Sequence, residues 1–174
     1  MTQAGAQTAA ANKKTKVQAL TPCLVFADRA EEAVNFYVSL FDNSRVVNMV
    51  RSPGHEKMPK GKLMQATFEL NGREYTAFDG GPTFSFSEGI SLMVTCETQE
   101  EIDRLWAALT ADGGEEGPCG WLKDRFGLSW QIIPAALGQM LSDPAHGNTA
   151  KAMEAMLQMK KLDIAALTQA YRSS

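Results

Sequence analysis

The sequence predicts an α+β fold made of paired β-α-β-β-β modules with a C-terminal helical extension. Three observations predict it. One strand–helix unit occurs twice, a two-residue hairpin signal follows the first copy, and the chain turns Ala- and Met-rich after Pro134. The repeated helix reads Glu31-Glu32-Ala33-Val34-Asn35-Phe36-Tyr37-Val38-Ser39-Leu40 and then Glu100-Glu101-Ile102-Asp103-Arg104-Leu105-Trp106-Ala107-Ala108-Leu109. Ala33, Phe36, Tyr37 and Leu40 match Ile102, Leu105, Trp106 and Leu109 at i, i+3, i+4 and i+7, which lays one apolar stripe along each helix. Each copy opens on a capping-box pattern, Asp28-x-x-Glu31 and Thr98-x-x-Glu101, that would satisfy free amides at a helix start. Each follows an apolar run of β character, residues 20–26 and 90–95. A unit used twice places any binding site between the two modules.

The remaining elements follow in order. Residues 44–52, with Val46, Val47, Met49 and Val50, suit a strand, and a loop with Pro53, Gly54, Pro59 and Gly61 comes next. Residues 62–70 alternate, with Leu63, Gln65, Thr67 and Glu69 on one face and Met64, Ala66, Phe68 and Leu70 on the other. Asn71-Gly72 is a strong hairpin signal leading into a strand over 73–78, which ends at Asp79-Gly80-Gly81-Pro82. The second module repeats the strand (90–96) and the helix (99–111). It closes with a turn at Arg125-Phe126-Gly127 and a strand over 128–133, stopped by Pro134. Either it is one strand shorter or it holds a strand that the pattern does not mark. Helices are expected at 136–141, at 150–159 and at 164–171, the last capped by Asp163. Met153, Met156, Leu157 and Met159 make an adaptable apolar surface suited to a core or a subunit interface. The expected organisation is a disordered leader over 1–16, a paired-module domain over 17–134 (modules about 17–82 and 88–134) and an extension over 135–174.

Composition excludes several classes. A chain of 174 residues with 44% hydrophobic and 21% charged residues suits one soluble globular domain. A net charge of −3 argues against nucleic acid as a partner. No apolar stretch approaches the roughly 18 residues that cross a bilayer. The first residues, rich in Ala, Thr, Gln and Lys, lack the apolar centre of a secretion signal. Three widely spaced cysteines, Cys23, Cys96 and Cys119, point to free thiols in a reducing cytoplasm. Cys23 and Cys96 fall in predicted strands, where cysteine usually serves as a small core residue. A nucleophilic role for Cys23 lacks a histidine where a base would be needed.

Two segments carry a family resemblance: Thr21-Pro-Cys-Leu-Val-Phe-Ala-Asp28 with its Phe36-Tyr37 helix, and Asp124-Arg-Phe-Gly127-Leu-Ser-Trp130-Gln131. They resemble the opening strand and the terminal D-x-x-G hairpin of the vicinal oxygen chelate superfamily of glyoxalases, extradiol dioxygenases and bleomycin- and fosfomycin-resistance proteins. Glu69-Leu-Asn-Gly72, Phe78-Asp-Gly-Gly-Pro82 and Cys119-Gly-Trp-Leu-Lys-Asp124 are similar to its PhnB-like group, which is also labelled the 3-demethylubiquinone-9 3-methyltransferase domain family. The likeness runs from about Val17 to Tyr171. It marks the family strongly and the activity weakly.

The resemblance implies four metal-ligand positions, on the first and last strand of each module. A divalent ion there wants His, Glu or Gln at about 2 Å. Motif matching gives Thr21 and Ser91 at the opening strands, Ala77 or Asp79 at the end of the first module, and Gln131 where relatives carry Glu. His55 and His146 lie in turn-rich segments and are expected in solvent. The expectation is therefore no metal and no cofactor. A small molecule would instead meet Thr21, Cys23, Phe68, Phe78, Asp79, Ser91, Trp121, Trp130 and Gln131, with aromatic faces for stacking and Gln131 for hydrogen bonding. The competing reading makes Phe68, Phe78 and Trp130 ordinary core and Asp79 a turn residue. Trp130 and Gln131 must take opposite faces of their strand. The expected function is binding of an aromatic or quinone-like ligand by a cytoplasmic homodimer with no nucleic-acid or membrane partner, dimerisation being implied by the resemblance and the Met-rich tail. The alternative is an enzyme: a metal-dependent lyase, isomerase or dioxygenase, or a methyltransferase as the family label says. The common methyltransferase type needs a Gly-rich loop from strand to helix, whereas Gly113-Gly114 follows a helix.

Overall fold

A computed structural model describes residues 16–173. The expected leader therefore lies, apart from Lys16, outside the described residues. The first module comprises β1 (Cys23–Phe26), α1 (Ala30–Leu40), β2 (Arg45–Arg51), β3 (Leu63–Leu70) and β4 (Arg73–Asp79). The second comprises β5 (Ser91–Cys96), α2 (Gln99–Thr110), β6 (Glu115–Glu116), β7 (Trp121–Lys123) and β8 (Ser129–Pro134). Their sheets run β1-β4-β3-β2 and β5-β8-β7-β6, each with its first strand parallel to its last and its other pairs antiparallel. The strand pattern marked neither the three-residue β7 nor β6. Two exposed glutamates between glycines carry no alternation to read.

Local chemistry explains most boundaries. At the β3–β4 turn Asn71 and Gly72 both have positive φ, 47° and 74°, the backbone that a tight hairpin requires. The two helix starts differ. At α2 the capping box forms as expected: the Thr98 hydroxyl accepts from the Glu101 amide at 3.2 Å, and the Glu101 carboxylate accepts from the Thr98 amide at 3.1 Å. At α1 the Asp28 pattern does not close, and no side chain of its own segment caps it. The Ala30 amide instead donates to Asp79 Oδ1, 2.8 Å away at the end of β4. Asp79→Ala is expected to cost about 1 kcal/mol of stability in urea denaturation, the usual worth of an N-terminal cap.

Each helix buries its stripe on its own sheet. Ala33, Val34, Tyr37 and Leu40 meet Leu24, Phe26, Ala66, Phe68, Leu70 and Ala77, while Ile102, Leu105, Trp106 and Leu109 meet Leu122, Trp130 and Ile132. All belong to one continuous core. Strand alternation then leaves the other face of each sheet open. Cys23, Gln65, Thr76 and Phe78 stand on the first open face, and Ser91, Met93, Trp121, Lys123 and Gln131 on the second. Met93 is 65% exposed, so this face is uncovered there. Cys23 is exposed, which corrects its expected place in the core, whereas Cys96 is buried and its thiol is pushed up to about 11 by that burial.

The extension folds as α3 (Ala135–Ser142), α4 (Thr149–Leu157) and α5 (Ile164–Arg172). Leu137, Met140, Ala152, Leu162 and Leu167 form a small second core, against which Met156 and Met159 pack. Met153 and Leu157 stay exposed. Among the described residues no helix is long and apolar enough to cross a membrane.

Candidate functional site

The two modules are joined by a buried carboxylate. Asp124 opens the β7–β8 turn, where Gly127 takes a φ of 86° and donates its amide to the Asp124 carbonyl at 2.9 Å. Its side chain accepts four hydrogen bonds: from the Tyr37 hydroxyl at 2.6 Å, Trp130 Nε1 at 2.8 Å, and the amides of Phe126 and Leu128 at 2.8 and 3.1 Å. Tyr37 comes from α1, so this contact ties the first module to the second. Phe41 stacks on Trp130 with centroids 5.8 Å apart, and the Arg29 and Arg125 guanidiniums lie over Phe126 at 4.6 and 5.0 Å. Trp130 is thereby committed to the core, and Gln131 takes the open face.

Burial, and then the Asp124 charge, push the Tyr37 phenol well above its ordinary value. The sign of the linkage follows. Above about pH 10 an unfolded tyrosine loses its proton while folded Tyr37 keeps it, so the folded state binds more protons and stability falls as pH rises. This residue alone is expected to contribute a loss of about 1.4 kcal/mol per pH unit above pH 10. Tyr37→Phe should remove that part of the slope in alkaline urea titrations.

The open face of the second sheet holds the candidate site. Gln131 Nε2 donates to Ser91 Oγ at 2.8 Å across the parallel β5–β8 pair, and Trp121 lies directly opposite Gln131 on β7. A cavity of about 480 Å³ opens alongside, lined by Glu88, Pro118, Trp121, Lys123, Ser129 and the β6 glutamates. Lys123 Nζ is paired with the Glu88 carboxylate. Lys123, Ser129 and Glu88 were not among the expected residues. The first two were within reach of alternation, since Lys123 shares a strand face with Trp121 and Ser129 shares one with Gln131.

The expected set therefore divides. Ser91, Trp121 and Gln131 come together on the second sheet. Cys23 and Phe78 lie on the first, with Cys23 opposite Thr76 and Phe78 opposite Val25, and Thr21 precedes β1 outside the ladder. Two expected ligand residues are turned the other way. Phe68 is fully buried and stacks on Tyr75 at 5.5 Å, because its face of β3 is the one α1 covers. Asp79 is occupied at the start of α1.

The donor set does not fit a divalent ion. Ala77 is buried under α1, Asp79 is engaged, Thr21 lies ahead of β1, and Ser91 and Gln131 are neutral and bonded to each other. Among the described residues no group of three or more His, Cys, Asp or Glu side chains is placed to hold a metal. His55 lies in an exposed turn, and exposed His146 pairs with Asp143 at 2.7 Å. A glycine-loop nucleotide cradle does not fit either. Within the modules the strand-to-helix connections are Ala27-Asp28-Arg29 and Glu97-Thr98, neither containing glycine, and β8 runs directly into α3.

The family model described as 3-demethylubiquinone-9 3-methyltransferase matches residues 18–133. The chain belongs to this family. Comparison with curated proteins finds no match. Among solved structures, a PhnB protein from Bacillus cereus that carries the 3-demethylubiquinone-9 3-methyltransferase description is 40% identical. It covers 68% of this chain and 100% of its own, with a TM-score of 0.61. Protein PA1353 from Pseudomonas aeruginosa, 22% identical, covers 66% of this chain and 96% of its own with a TM-score of 0.54, and so shows a shared fold. The paired β-α-β-β-β architecture expected from the sequence is the one observed. In this 3-demethylubiquinone-9 3-methyltransferase family member, Tyr37 and Asp124, two of the residues that carry the resemblance, form a joint between the modules.

Proposed function

We propose that this protein binds a small planar molecule, aromatic or quinone-like, on the open face of its second sheet, without a metal, as a cytoplasmic homodimer. The observation that carries the reading is the Gln131–Ser91 hydrogen bond beside Trp121. An amide next to a hydroxyl suits a ring carbonyl or hydroxyl, and Trp121 supplies a flat apolar surface. The adjoining cavity has the volume of a small-molecule site. The family description adds a demethylubiquinone, whose quinone ring matches that equipment. Homodimerisation is supported by apolar side chains left in solvent, Val47 and Val50 on β2, Met93 on β5, and Met153 and Leu157 on α4. A second copy would let Thr21, Cys23 and Phe78 of one protomer complete the site of the other. Three free thiols suit a reducing compartment.

Dimethylnaphthoquinone is a suitable probe, since methyl groups on both reactive ring carbons keep it from adding to thiols. Saturable binding to chelator-free protein is expected by calorimetry, with Trp121→Ala and Gln131→Ala each weakening it by about tenfold, the equivalent of 1.4 kcal/mol. Metal analysis by mass spectrometry on the same preparation is expected to find traces only. One divalent ion per chain, lost on Gln131→Ala, would sink the reading in favour of a metalloenzyme. Saturable binding of S-adenosylmethionine in place of the quinone would sink it in favour of methyl transfer.

A further inference from the structure

The β6–β7 hairpin forms one wall of the cavity; β7 is paired with β8, and β6 stands at the edge of the sheet. β6 pairs with β7 only at Glu115–Lys123 and Glu116–Leu122, a ladder too short to stand alone. The connecting loop contributes Gly117 and Pro118 to the cavity and ends at Cys119 and Gly120, both with positive φ. Support comes from the junction between α4 and α5. The Cys119 amide donates to the Met159 carbonyl at 2.7 Å, and the Gly120 amide donates to the Lys160 carbonyl at 2.8 Å. Lys160 Nζ reaches Glu116 at 3.5 Å. Leu162 is fully buried and packs so closely that a Cβ on Gly120 would lie 3.1 Å from its Cδ1.

The junction is itself pinned to α2. Gln99 Nε2 donates to the Leu162 carbonyl at 3.1 Å, and Gln99 Oε1 accepts from the Ile164 amide at 2.9 Å. Lys161 pairs with Asp103 at 2.6 Å. All of the junction residues lie beyond the family match, which ends at residue 133.

We infer that the α4–α5 junction is a positioning element of the ligand cavity, setting the wall beside Trp121 through the main-chain carbonyls of Met159 and Lys160. The inference rests on the reading of the site given above. Coupling of this kind is reciprocal: a ligand that gains from a firm wall must also firm the wall.

Hydrogen–deuterium exchange on the full chain, with and without dimethylnaphthoquinone, tests it. In Gln99→Ala and in Lys160→Met the Cys119 and Gly120 amides are expected to exchange faster, while β3 and β8 keep wild-type protection. The quinone dissociation constant should rise by about two- to tenfold, the range carried by one ordinary hydrogen bond. Bound quinone should slow exchange at the same two amides in the wild type. Faster exchange with unchanged affinity would overturn the positioning role, and unchanged exchange in both alanine and methionine variants would overturn the hold on the hairpin. A wild-type protein that ignores the quinone would overturn the site reading instead, and exchange would still decide whether the junction holds the wall.

Discussion

Asp124→Ala is expected to lower the unfolding free energy by about 3–5 kcal/mol, the cost of breaking a buried charged network from one side. Its carboxylate is 3% exposed and takes all four of its hydrogen bonds from inside the protein. Removing it leaves the Tyr37 hydroxyl and the Trp130 indole N–H buried without an acceptor, and each orphan costs about 1–3 kcal/mol. The turn also loses the side chain that holds the Phe126 and Leu128 amides. Asp124→Asn keeps the shape and one acceptor oxygen, so its loss should be smaller. Urea denaturation checks the order wild type, Asn, Ala. A double-mutant cycle with Tyr37→Phe isolates the contact between modules, because the two side chains are direct partners. A loss below 1 kcal/mol for the alanine variant would mean that the joint is carried by the surrounding aromatic contacts instead.

Phe68→Ala is expected to cost about 3–5 kcal/mol as well, for a different reason. The ring is wholly enclosed between α1 and β3, so truncation leaves a cavity lined by Tyr75 and the α1 stripe. Quinone affinity, measured under conditions where the variant remains folded, should match the wild type. Weaker binding with little loss of stability would return Phe68 to the ligand site.

Phe68 also shows how far the sequence could be read. Alternation correctly grouped it with Ala66 and Leu70 on one face of β3. Which face α1 would cover depends on packing between elements, which a strand's own pattern does not contain. Trp130 and Gln131 pose the same problem, and there the Tyr37 and Phe41 rings of the first module, packed on Trp130, decide it. The periodic elements, the Asn71-Gly72 turn and the Thr98 box were legible because their causes lie within a few residues. Asp79 was not, since the helix it caps starts 49 residues earlier in the chain. Tyr37 and Asp124 were visible as members of family motifs, yet their contact spans 87 residues and no local rule proposes it. Of the candidate site, Ser91, Trp121 and Gln131 were named through the family's strand positions and the expectation of an aromatic stacking surface. Glu88 was not legible because its pairing with Lys123 brings the irregular segment between modules against a strand.

That segment, residues 80–90, connects the last strand of the first sheet to the first strand of the second. A nick there would leave two fragments, each with a complete set of four strands. Covalently the chain is divisible at this point, but its solvation is not. The first half alone would expose the Tyr37 and Phe41 rings to water, and the second would expose Trp130 and leave Asp124 short of a donor. Each half is the other's missing solvent.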